Sequence, residues 1–248
     1  MSLRAAQLTL ALISFLVAAP VAVAGTVDLR DLPGNFDQSS WNGGGTRFYA
    51  QSLLADDNYL TSVAFRPVPQ GGGQEFQFYI TGARVAGGGL GFEPDFNDIR
   101  FISDKGTLPP VADGFVELAC DPNATVTPDE TVFLVFDGLT ETGPSAKVRA
   151  TEFGGTEKYP PGEFVFLNTT YGPPPDNSSS WSHRAGDNED LAVLAVFADQ
   201  PVANGLDCGN VIFRQPEVPV PTMSQAALTT MLVLLALLGG LAIRRRTA

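Results

Sequence analysis

Between Gly25 and Pro221 the chain never sustains a helical pattern; its apolar residues recur at every second position or in short unbroken runs. In Gln74–Thr81, Phe76, Phe78 and Ile80 share one face while Glu75, Gln77 and Tyr79 share the other. That period of two predicts a strand with one buried side. Val132–Phe136 and Leu191–Phe197 are apolar at every position, which predicts central strands covered on both faces. Further strands are predicted over 47–52, 59–65, 99–102, 115–119, 148–153 and 163–167. Glycine clusters such as Gly71–Gly73 and Gly87–Gly89 lie between them.

Composition points the same way. The 26 Gly and 19 Pro break helices, whereas 17 Phe, with Val and Thr, fit a pleated surface. Many short strands with frequent turn signals predict an all-β fold, a jelly-roll-type two-sheet β-sandwich over residues 25–215. About 190 residues suffice for one domain with its own core. No internal repeat of fixed period is present.

The two ends differ from this body. Residues 1–24 combine Arg4, an apolar stretch and Ala22-Val23-Ala24, the pattern of a secretory signal peptide with cleavage expected between Ala24 and Gly25. Its partners are then the Sec translocon and signal peptidase. Residues 226–243 carry no charge over 18 positions. As a helix they span about 27 Å, enough to cross a hydrocarbon core of about 30 Å. Arg244, Arg245 and Arg246 follow at once and act as a stop to translocation, which leaves 244–248 as a basic cytoplasmic tail. Four of the 15 basic residues lie in these termini and all 27 acidic residues lie between them, so the body has a formal charge of −16. Such a body repels phosphate backbones, which excludes nucleic acid as a partner.

Residues 216–225 form a proline-rich linker. Within it Val220, Pro221, Thr222, Met223 and Ser224, followed by an apolar helix and a basic cluster, resemble the IPTL-CTERM family of bacterial sorting signals, relatives of the PEP-CTERM class. Ala226 and Ala227 stand where that family carries Trp and Gly. The resemblance implies handling by an exosortase-type membrane enzyme and display at, or release from, the cell surface. A plain single-pass anchor is the alternative. Ala50-Gln51-Ser52, Leu60–Val63, the strand Phe76–Ile80, Thr131–Val135, the Tyr159–Gly162 turn and Asp190-Leu191-Ala192 are similar to choice-of-anchor β-sandwich ectodomains, which mostly have no assigned activity.

Candidate chemistry is sparse. Cys120 and Cys208 permit a disulfide closing a long loop; two small buried thiols are the alternative. His183 is the one histidine, no Gly-x-Ser-x-Gly elbow accompanies it, and it reads as an exposed strand or loop residue. No catalytic residue is assigned, and no cofactor is required. Calcium, which accepts carboxylates and carbonyls from loops, is the one metal considered, at Asp95 and Asp98 or at Asp187 and Asp190. Trp181, Tyr171 and Tyr159 sit in polar, turn-rich surroundings and are the candidates for stacking on a sugar. The expectation is therefore a non-enzymatic exported surface protein in an extracellular polysaccharide setting. The alternatives are a carbohydrate- or calcium-binding adhesion module and, third, a secreted hydrolase.

Overall fold

The computed structural model describes residues 25–32, 35–87, 91–110, 115–151, 158–169, 175–177, 181–183, 189–206, 208 and 212–214, the backbone alone at 36–39 and 212–214. The signal peptide, linker, sorting motif, apolar segment 226–243 and basic tail lie outside these residues. Within them the fold is all-β, built of antiparallel sheets.

One sheet runs β1 (Gly25–Asp28), β15 (Val193–Ala198), β4 (Tyr59–Phe65), β9 (Glu117–Cys120) and β16 (Ile212–Arg214), with β10 (Ala124–Thr125) also on β4. The larger sheet runs β14 (Ser182–His183), β13 (Phe164–Leu167), β3 (Phe48–Leu54), β11 (Thr131–Gly138), β6 (Glu75–Val85) and β7 (Phe92–Ile102). Its seventh strand, β8 (Gly106–Thr107), pairs with β6. A small third sheet, β2 (Phe36–Trp41), β12 (Ala146–Ala150) and β5 (Pro67–Pro69), stands where only two sheets were expected. β12 overlaps the strand predicted over 148–153, but β2 and β5 escape pattern reading, since FDQSSW has no apolar alternation. Pro67 and Pro69 also lack the donors that mark a central strand, and β5 accordingly takes an edge.

The six- and seven-stranded sheets share one core, the arrangement of a β-sandwich. Leu60, Val63 and Phe65 of the first pack with Tyr49, Leu53, Phe76, Ile80, Leu134 and Phe136 of the second. Phe65 and Phe136 bring their ring centroids to 3.9 Å. Trp41 of the third sheet closes one end: it meets Phe65 edge-on at 5.6 Å and donates from Nε1 to the Arg47 carbonyl. Each fully buried aromatic of this kind contributes roughly 1.5–3 kcal/mol.

The two apolar runs differ in outcome. β11 is buried on both faces, as expected. Its outer face, carrying Phe133 and Val135, belongs to a second cluster with Phe48, Ala50, Tyr79, Val165 and Trp181. β15 instead alternates buried and half-buried, because Leu194, Val196 and Ala198 face outward from the six-stranded sheet. The cover on β11 comes from an irregularity in β7. Adjacent Thr81 and Gly82 of β6 pair with Ile99 and Asp95, so Phe96, Asn97 and Asp98 bulge out between them. Phe96 folds over the sheet and stacks on Trp181, with centroids at 6.4 Å and planes 14° apart.

A buried ion pair joins β11 to the residue before β3. Arg47 donates from Nε to Asp137 Oδ1 at 2.8 Å and from Nη2 to Oδ2 at 3.1 Å, with both side chains almost wholly buried. Burial pushes the Asp137 carboxyl up to about 6, against the opposing pull of Arg47. The Tyr79 hydroxyl beside it is pushed up to about 12, chiefly by burial.

Candidate functional site

A cluster of chemistry-bearing side chains gathers where residues of β14 and β7, the two ends of the seven-stranded order, meet through their side chains. Arg84 of β6 and Glu93 of β7 are direct cross-strand partners and their side chains pair, Nη2 to Oε2 at 2.6 Å. On the other side, His183 of β14 pairs with Val165 of β13, two residues beyond Glu163. The ladder sets His183 near Glu163, and the approach of β7 brings Glu93 to its other side. Its Nδ1 lies 2.6 Å from Glu163 Oε1, and its Nε2 lies 3.6 Å from Glu93 Oε1. The Trp181 backbone N–H also donates to Glu93 Oε1, at 3.1 Å. Glu93 is 2 % exposed, so its charge is balanced by these neighbours rather than by water.

His183 lies on a strand, one of the two placements expected, but is half-buried and engaged rather than exposed. Its partners lie 20 and 90 positions away in sequence: Glu163 precedes the neighbouring strand, and Glu93 comes from β7 at the far end of the sheet order. Chemically the arrangement is a clamp. Both ring nitrogens already face carboxylate oxygens, so neither is presented to a substrate as a base. Ser182 is the next residue on the same strand and points to the opposite face. The two carboxylates do not form a glycosidase pair, because the imidazole fills the gap that a sugar ring would need.

Two of the three aromatic candidates for sugar stacking are packed into the fold. Trp181 is 5 % exposed, wedged between Phe96 and Phe48, whose centroid lies 6.0 Å away. Tyr159 is half-buried against the sandwich core. Its hydroxyl accepts the Leu54 N–H at 3.0 Å, and burial pushes its pKa up. A Cβ on Gly162 would lie 2.6 Å from Tyr159 Cε1, which shows how closely the turn covers that ring. Both aromatics are packed into the structure, Tyr159 under its own turn at 160–162 and Trp181 against Phe48 and Phe96. Tyr171 lies outside the described residues.

The acidic candidates are not brought together as sets. Asp95 Oδ1 accepts from the Asn97 backbone at 2.9 Å and from Asn177 Nδ2 at 2.6 Å, bonds that shape the β7 bulge. Asp98 lies against Gly82 and pairs with Arg100 at 2.8 Å. Asp190 is fully buried rather than exposed in a loop. It accepts from Gln51 Nε2 at 2.8 Å and from the Tyr159 N–H at 3.2 Å, which gives it a structural role. Asp187 lies outside the described residues. Among the described residues no group of three or more His, Cys, Asp or Glu is arranged to hold a metal ion.

Cys120 and Cys208 form a disulfide across 88 residues, with Cα atoms 4.9 Å apart, and both are buried. On the outer face of the six-stranded sheet, a depression of about 400 Å³ is bordered by Arg30, Ser62, Glu117 and Asp121. Its charges are paired internally. Arg30 bonds Asp28 and Glu117, and the bond to Arg30 holds the Asp28 carboxyl below its usual range. Asp121 accepts from Ser62 and from the Leu206 N–H. No aromatic is among its described lining residues. No protein-family model matches the chain, and no match emerges among curated proteins.

Proposed function

We propose that this chain is a non-enzymatic exported surface protein. Its signal peptide directs it through the Sec translocon and is cut after Ala24. The β-sandwich functions outside the cytoplasm, and an exosortase-like enzyme handles the segment around Val220–Ser224 before the apolar anchor. The observation that carries this reading is the order of features in one sequence: apolar leader with a small-residue site, acidic β body, proline-rich motif, uncharged 18-residue stretch and three arginines. The buried disulfide supports it, since such bonds persist in oxidising compartments. So does the site: its carboxylates, guanidinium and imidazole are bonded to one another.

The jelly-roll winding belongs to the same proposal. Neighbours such as β15 with β4 and β3 with β11 are distant in sequence, as expected of a chain that crosses repeatedly between two sheets. Display in an extracellular polysaccharide matrix follows from the resemblance of the tail.

Intact-mass measurement of the protein from its native envelope tests the proposal. A polypeptide beginning at Gly25 and ending near Thr222 is the expected result. A mass beginning at Gly25 but retaining Arg246 would replace processing with permanent anchoring. The uncut 248-residue chain free in the cytosol would overturn the reading altogether.

A further inference from the structure

The edge strand β1 begins at Gly25, the residue that follows the A-x-A site, and enters the ladder there opposite Phe197. Gly25 is pressed against Asp56. A Cβ built on it would lie 2.6 Å from Asp56 Cβ and 2.7 Å from Asp56 Cγ, and would overlap the carboxylate oxygen. With a Cα–Cβ bond of about 1.5 Å, the Gly25 backbone sits within about 4 Å of the Asp56 carboxyl carbon. Beside it opens a cleft of about 190 Å³ bordered by Gly25, Asp56, Asp129 and Tyr159. Its described lining carries two carboxylates and no cationic side chain.

We infer that this cleft is the seat of the chain's own α-ammonium group, formed when the leader is removed. The inference rests on the cleavage reading above. Hydrolysis breaks the bond between the Ala24 carbonyl carbon and the Gly25 nitrogen. The hydroxyl of water goes to Ala24, which leaves as a carboxylate, and the Gly25 amine gains protons to become a cation. That cation arises where a carboxylate already waits, with Asp129 bordering the same cleft. In the precursor the same nitrogen is a neutral amide. Processing therefore adds an ion pair that locks the edge strand. Position 25 needs glycine because any side chain would collide with Asp56.

The test uses the mature exported protein and Asp56→Asn. Each is also prepared with two residues inserted after Ala24, so that the new amino group lies beyond the cleft. Terminal sequencing fixes the start, and urea unfolding at pH 7 gives the unfolding equilibrium constant. Asp56→Asn should raise that constant about three- to fivefold in the chain starting at Gly25, and leave it within twofold in the extended chain. The advantage of the wild-type chain over Asp56→Asn should be full below the ordinary α-amino value of about 8. It should vanish as pH rises through the higher value that the ion pair gives the folded state. Equal effects of Asp56→Asn in both chains, or none in either, would overturn the inference while the cleavage reading stands. A mature protein starting elsewhere than Gly25 would sink the cleavage reading itself.

Discussion

Replacing both Cys120 and Cys208 with alanine should cost this fold much of its stability. The bond closes a loop of 88 residues. Loop-closure entropy for that length is about 15 cal/mol/K, or about 4–5 kcal/mol at 25 °C, removed from the unfolded state. Small domains are stable by only about 5–15 kcal/mol, so the bond represents a large share. Alanine is the better replacement because both positions are buried in the sandwich core, where a serine hydroxyl would be stranded. Urea unfolding at pH 7, with and without a reducing agent, reads the effect. Reduction of the wild-type protein and the double substitution should shift the midpoint alike, and reductant should leave the double variant unmoved. A loss below about 1 kcal/mol would refute the reasoning, as would two titratable thiols in protein isolated from the envelope. The latter would also remove the support that the disulfide lends to an oxidising compartment.

Other outcomes follow from buried groups. Trp181→Ala should cost about 3–5 kcal/mol in thermal or chemical unfolding, since it opens the cluster around Phe48 and Phe96; a neutral result would mean the ring is solvent-facing after all. Asp137 is raised from 3.8 to about 6 by burial, so its contribution to stability is full below about pH 4 and is lost as pH rises through about 6. The destabilisation caused by Asp137→Asn should accordingly be about 2 kcal/mol larger at pH 4 than at pH 7; a penalty that grows with pH would show that attraction to Arg47 outweighs burial. Glu163→Gln should lower stability by about 1–2 kcal/mol by weakening the clamp on His183, read from the urea midpoint at pH 7; an unchanged midpoint would show that the clamp contributes nothing.

Period-two reading located the strands that matter most for the sandwich, because burial of one face leaves its mark within each segment. Phe76, Phe78 and Ile80 are buried in β6, and 59–65 is β4 at the same bounds. What failed was anything decided between segments. Pro67–Pro69 and FDQSSW form strands only because β12 lies between them and supplies their partners. β15 and β11 look equally apolar in sequence, yet only β11 receives a cover, since Phe96 and Trp181 arrive from a bulge and an edge that no local pattern announces. The clamp around His183 was illegible for the same reason: Glu93 and Glu163 look like ordinary surface acids until the fold brings strands from both ends of the sheet order to either side of the ring. Polar neighbours suggested exposure for Trp181 and Tyr159, whereas Trp181 packs on Phe48 and Phe96 and the turn after Tyr159 closes over its ring.

The last strand and the disulfide together have a mechanical consequence for a tethered protein. β16 sits at the open edge of its sheet, held by three register pairs to β9, and leads directly into the segment that would connect it to a membrane. Tension arriving from that side would strip β16 from β9 one pair at a time, the weakest way to pull on a ladder. Cys208 lies only four positions ahead of β16 and is covalently bound to β9 itself at Cys120. Peeling must therefore stop at the sulfur, and beyond it the force is handed to an interior strand flanked by β4. Such a body could be tugged by flow or by neighbouring cells and lose a few terminal residues of order while its sandwich stays shut.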